Sequence, residues 1–236
     1  MLRFFDWAFR RHFAGSFSAL RIARWGEPLA PPGRPLVILA NHPGWWDGVL
    51  VLLVTRHLFP GRPCYVPMDA AALEKYGFMR RLGVFGVEQN SPRGAVRFLR
   101  TVAAVLADPR HILWMNAPGR FADPRERPVP LAPGVARLPA AAPEAVILPL
   151  AIEYTHWTEK RGETLIAFGP PVAATDEDGI RAAMTATMDR LAADAISRDP
   201  ARFRVMLEGR RGMGGLYGLW QRRRFAPDHD PRARQG

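Results

Sequence analysis

Between Pro35 and Ser197 short apolar runs alternate with longer stretches whose apolar residues recur at steps of three and four. An apolar run of about four to eight residues bounded by Gly or Pro suits a strand buried on both faces. A recurrence of three to four suits a helix with one buried side. Strands are predicted at 36–40, 64–68, 84–88, 111–115, 146–153 and 164–168, and helices at 47–58, 70–81, 92–106 and 176–197. Pro92 suits a first helical turn. This alternation predicts an α/β fold: a single domain with a mainly parallel sheet flanked by helices. A length of 236 residues with 48% hydrophobic content supports one such domain with a sizeable core. The segment 117–143, dense in proline, glycine and arginine, reads as a long functional loop because strands resume beyond it. No internal repeat is present.

The N-terminus carries a different pattern. Leu2, Phe5, Phe9, Phe13, Phe17 and Leu20 recur at helical steps, with Arg3, Arg10, Arg11 and Arg21 off that stripe and Trp7 and Trp25 on its flank. An amphipathic helix over 2–25 can lie in a bilayer interface, aromatics down and arginines at anionic headgroups. The competing reading is a helix that packs on the domain. Charge adds weight at both ends. Residues 1–25 hold five arginines against one aspartate, and residues 210–236 hold seven against two, out of a net charge of +11. The expected division is therefore a membrane-associating helix at 1–28, the α/β domain at 29–209, and a basic, flexible tail at 210–236. Leu216, Tyr217, Leu219 and Trp220 give that tail membrane-seeking character.

The same figures exclude other classes. The centre of the chain is near neutral and holds no recognised nucleic-acid motif, which argues against a nucleic-acid binder. No window reaches the roughly 18 apolar residues of a spanning helix, and the N-terminus lacks a small-residue cleavage site. The single cysteine, Cys64, excludes an internal disulfide and a cysteine-rich zinc site. His12, His57, His111, His156 and His229 show no metal-ligand spacing, although His156, three residues after Glu153, lies close to a predicted strand end. A Gly-x-Ser-x-Gly elbow is missing, which disfavours an α/β-hydrolase.

Chemistry concentrates at Ala40-Asn41-His42-Pro43-Gly44-Trp45-Trp46-Asp47, where a strand runs onto a Gly/Pro turn. Neutral imidazole takes a proton near pH 7, and a carboxylate on its other nitrogen fixes the tautomer and stabilises the imidazolium. Such a pair activates a hydroxyl without a serine or cysteine nucleophile. The turn and the helical run after it resemble motif I of the glycerolipid (PlsC-like) acyltransferase superfamily. The resemblance continues in order through Val84-Phe85-Gly86-Val87-Glu88-Gln89, Asn116-Ala117-Pro118-Gly119-Arg120-Phe121 with the downstream Pro133–Leu138, and Val146-Ile147-Leu148-Pro149-Leu150-Ala151. It spans roughly residues 30–170.

The resemblance implies that His42 deprotonates an acceptor hydroxyl, which attacks an acyl thioester, while Asp47 orients His42. Substrate contacts are expected at Asn41, Gly44, Gly119 and Arg93, and the open guanidinium forks of Arg120, Arg125 and Arg127 suit a phosphate or carboxylate, one or two of them binding donor or acceptor and the rest being solvated loop charges. The donor is expected to be acyl-CoA or acyl carrier protein and the acceptor a lysophospholipid-like lipid, with no cofactor and no metal. The expected place is the cytoplasmic face of the inner membrane, as a peripheral protein. Two departures bear on the acceptor. Gln89 stands where the family has an arginine, with Arg93 and Arg97 just downstream, and Pro118 stands where it has a glutamate. A non-glycerophospholipid acceptor, such as a lyso-ornithine-type lipid or a glycosylated isoprenoid, and a catalytically inactive lipid-binding member remain as alternatives.

Overall fold

The computed structural model describes residues 2–172 and 176–210, with side chains from residue 4 onward. Its elements, in chain order, are α1 (Leu2–Ser16), β1 (Ala19–Ala23), β2 (Leu36–Ala40), α2 (Asp47–Leu58), β3 (Cys64–Asp69), α3 (Ala70–Lys75), a 3-10 turn (Gly77–Leu82), β4 (Val84–Val87), α4 (Pro92–Leu106), β5 (Ile112–Asn116), α5 (Leu138–Ala141), β6 (Val146–Thr155), β7 (Glu163–Phe168), α6 (Glu177–Ser197) and β8 (Phe203–Glu208). The strands form one eight-stranded sheet in the order β4-β3-β5-β2-β6-β7-β1-β8. Pairing is parallel from β4 through β6 and again between β7 and β1, and antiparallel at β6–β7 and β1–β8.

Helices cover both faces, which is why the central strand β2 is apolar on every residue. Leu36–Ala40 is buried throughout. Val37 and Leu39 join one core with Phe98 and Val102 of α4 and Met184 and Leu191 of α6. Leu36, Ile38 and Ala40 join the other with Phe13 and Phe17 and with Leu50 and Leu53 of α2. Caps mark the helix starts: Ser91 accepts from the Gly94 N–H and Asp176 from the Gly179 N–H.

Three features differ from the sequence reading. The N-terminal helix ends at Ser16, and Ala19–Ala23 is a fully buried strand between β7 and β8. The boundary placed at residue 28 therefore cuts through the sheet domain. Gly15 and Ser16 end the helical step, and Leu20 continued its spacing by coincidence. Arg21, expected at headgroups, is 4% exposed because its guanidinium pairs with the Glu163 carboxylate on β7. Trp25 is likewise taken up inside the fold, its indole N–H donating to Asp194 at 2.7 Å beneath Arg190. The predicted 70–81 helix breaks after Lys75 into the 3-10 turn at Gly77, a residue that costs about 1 kcal/mol in a helix interior. The third feature is β8, which sequence periodicity did not reveal. Beyond Arg210 the basic tail, with its four membrane-seeking residues, lies outside the described residues.

Candidate active site

β2 is the central strand, and its C-terminal end delivers His42. Ala40 accepts from the Ala117 N–H at 2.7 Å and Leu150 accepts from the Asn41 N–H at 3.3 Å, so the strand end is held on both sides. The turn then brings Asp47, the first residue of α2, back beneath the imidazole. His42 Nδ1 lies 2.6 Å from Asp47 Oδ2. A carboxylate only accepts, so Nδ1 carries the hydrogen, and in the neutral ring the lone pair is on Nε2. Asp47 has no exposed side-chain surface and His42 retains 19%. The imidazole is therefore reachable while its partner is not.

A buried carboxylate needs donors. Asp47 Oδ2 also accepts from the Gly44 N–H at 3.1 Å, and Oδ1 accepts from the Tyr154 hydroxyl. Burial first, and then the charge and hydrogen bond of Asp47, push the Tyr154 phenol far above its ordinary range, so it remains a donor. Sequence reasoning missed Tyr154. His156, two residues on and close to the predicted strand end, is exposed in the β6–β7 hairpin. The available signal was strand alternation, since Tyr154 shares the face of Leu150 and Ile152.

The other expected contacts fall into three groups. Asn41 and Gly44 serve the turn itself. Asn41 is 3% exposed, with its amide donating to the Ile152 carbonyl at 2.9 Å and accepting from the Ile152 N–H at 2.7 Å. It clasps β2 to β6. The second group is the loop after β5. Gly119 has φ +66°, and a Cβ there would sit 3.1 Å from Ala132, so glycine suits it on two counts. The loop returns to the site through the Ala122 N–H, which donates to the His42 carbonyl at 3.0 Å, and through Phe121, whose ring is 4.5 Å from the imidazole.

The loop arginines are each paired: Arg120 with Glu126 at 2.6 Å, Arg125 with Asp123 at 2.7 Å, and Arg127 with Asp189 of α6. None stands as an open fork, because each has an acidic residue in reach. Arg93 forms the third group. It is exposed in the first turn of α4, after β4, with β3 and β5 intervening between that strand and β2. Arg97 pairs with Glu88 at 3.4 Å.

A cleft of about 330 Å³ lies between β6, α6 and the loop after β5; Asn41 and Tyr154 line it, His42 and Asp47 do not. Ala151, Met188 and Leu191 form its apolar floor, and Arg125 and Glu153 are its charged groups. Burial raises the Glu153 carboxyl above the usual carboxylate range. Among the described residues no three His, Cys, Asp or Glu side chains come together as metal ligands.

A neutral imidazole oriented by a buried carboxylate at the end of a central parallel strand has the chemistry to take a proton from a hydroxyl. The acyltransferase family model matches residues 22–153, from β1 through most of β6. The chain belongs to the acyltransferase family, and so to proteins that pass an acyl group from a donor to a lipid acceptor. No curated protein matches the chain.

Proposed function

We propose that the protein moves a fatty acyl chain from an acyl thioester, acyl-CoA or acyl carrier protein, to a hydroxyl of a lysophospholipid-like acceptor. His42 Nε2 takes the hydroxyl proton as the oxygen attacks the thioester carbonyl. Asp47 holds the imidazole in its Nδ1–H form and stabilises the imidazolium. Backbone N–H groups of the turn serve the developing oxyanion. The C–S bond then breaks, the proton passes from His42 to the departing thiolate, and no acyl-enzyme forms. The apolar floor of the cleft beside Tyr154 suits a fatty chain or the body of a lipid acceptor.

The observation that carries this reading is the 2.6 Å contact between His42 Nδ1 and Asp47 Oδ2 in a member of the acyltransferase family. The altered positions Gln89 and Pro118 keep a non-glycerophospholipid acceptor in view. The test is transfer of radiolabelled acyl groups from each donor to a panel of lysophospholipids and other lyso-lipids, with His42→Ala as the control. We further propose peripheral attachment to the cytoplasmic face of the inner membrane through the exposed half of α1, with the basic tail assisting. No helix among the described residues is long and apolar enough to cross a membrane.

A further inference from the structure

Five aromatic side chains are exposed on and around α1. Phe4 and Trp7 on the helix, Trp45 in the turn after β2, and Tyr76 and Phe78 beside or within the 3-10 turn are 44–66% exposed. Ring contacts tie the start of α1 to the 3-10 turn and its end to the turn after β2. Phe4 and Phe5 lie 5.7 Å apart, and Phe5 stacks on Phe78 at 5.6 Å with planes 8° apart. Along the same helix face follow Phe9, 6.1 Å from Phe5, and His12, whose ring is 6.2 Å from Trp45. The exposed rings therefore extend from Phe78 along α1 to Trp45, which precedes His42's partner Asp47 by two residues in the chain. Phe121, also exposed, has its ring 4.5 Å from the His42 imidazole.

Apolar exposure on this scale marks a binding surface. Charge selects the occupant. Arg11, Lys75, Arg80 and Arg81 are exposed on the same two segments, and Lys75 Nζ lies 5.5 Å from the centre of the Tyr76 ring. Arg10 and Arg56 share the single carboxylate of Asp6. Aromatic rings with a polar or cationic edge among basic side chains suit the interface of an anionic bilayer.

We propose that the exposed half of α1 and the 3-10 turn Gly77–Leu82 form one composite seat for an anionic bilayer, with Trp45 at its inner end. The bilayer is thereby held against the mouth of the site at His42, and the acceptor enters from the lipid plane. This rests on the peripheral-membrane reading above and adds a second insertion element to it.

The test uses the full chain and sucrose-loaded vesicles of phosphatidylcholine with and without phosphatidylglycerol. The wild-type protein should sediment with the anionic vesicles. Phe78→Asp and Tyr76→Asp should each bind about tenfold more weakly, Phe78→Leu should bind nearly as the wild type does, and all should melt as it does. Transfer to vesicle-embedded acceptor should fall in parallel, while transfer to detergent-dispersed acceptor should not. Unchanged vesicle binding by both Asp variants would overturn the composite seat and leave α1 as the anchor. Loss of self-association in Phe78→Asp, with vesicle binding intact, would also overturn it by giving this surface to a second copy. Failure of the wild-type chain to sediment would instead remove the peripheral-membrane reading itself.

Discussion

Tyr154 donates its hydroxyl proton to Asp47 on the carboxylate oxygen that His42 leaves free, tying β6 to the turn that follows β2. The pair is thus braced from a strand that lies more than a hundred residues away in the chain. Tyr154→Phe removes that brace and leaves a buried acceptor one donor short. The expected stability loss is about 1–3 kcal/mol. Transfer should slow about ten- to a hundredfold as the imidazole loses its fixed position. The variant also changes the response to alkali. The folded phenol resists ionisation while an unfolded one ionises near pH 10, so the unfolded chain binds fewer protons and wild-type stability falls as pH rises past about 10. Thermal melts between pH 8 and 11 should show a shallower decline for Tyr154→Phe.

Asn41→Ala should act through stability. It leaves the buried Ile152 N–H and carbonyl without their partner, a loss of about 1–3 kcal/mol for each group that stays unsatisfied. Steady-state kinetics below the melting transition should show little change in KM. A large KM rise with unchanged stability would return Asn41 to the substrate contacts.

Arg125 is the loop arginine that borders the cleft. If an anionic group of donor or acceptor binds there, Arg125→Ala should raise KM more than it lowers kcat. Arg120→Ala, at a residue outside the cleft lining and paired with Glu126, should leave both nearly unchanged. Equal KM values for wild type and Arg125→Ala would reduce Arg125 to a surface charge paired with Asp123.

Truncation separates the two halves of α1. Phe13 and Phe17 are core residues and β1 is an interior strand, so deleting residues 1–25 should unfold the protein. Deleting residues 1–8 removes the exposed Phe4 and Trp7 while sparing that core. The shorter deletion should keep the melting transition and lower recovery with anionic vesicles. High salt should weaken attachment of the full chain without abolishing it, because charge is screened within about 8 Å at physiological ionic strength and ring insertion is not.

Much of the central sheet was readable because its strands are buried on both faces and therefore appear as unbroken apolar runs, Leu36–Ala40 and Leu113–Met115 among them. β1 was hidden because it contains Arg21, whose partner Glu163 is 142 residues away, and a long-range ion pair leaves no local pattern. His42 and Asp47 were legible from a turn of six residues. Tyr154 was not, since its role depends on the parallel pairing of β2 with β6, in which Ala40 lies opposite Leu150. The loop arginines looked like open forks for the same reason: their charge is visible in sequence, but Asp189, which takes up Arg127, sits on a distant helix.

The central claim is that His42, oriented by Asp47, is the base for acyl transfer. Asp47→Asn should lower transfer by about 10²–10⁴-fold by opposing a side-chain amide to groups that all donate. The most direct measurement is the single-turnover rate of His42→Ala with a saturating acyl thioester and a lyso-lipid the wild-type protein accepts. The rate should drop at least about 10²–10⁴-fold with the melting temperature and donor binding unchanged. A folded His42→Ala protein that transfers acyl groups at the wild-type rate would contradict the account.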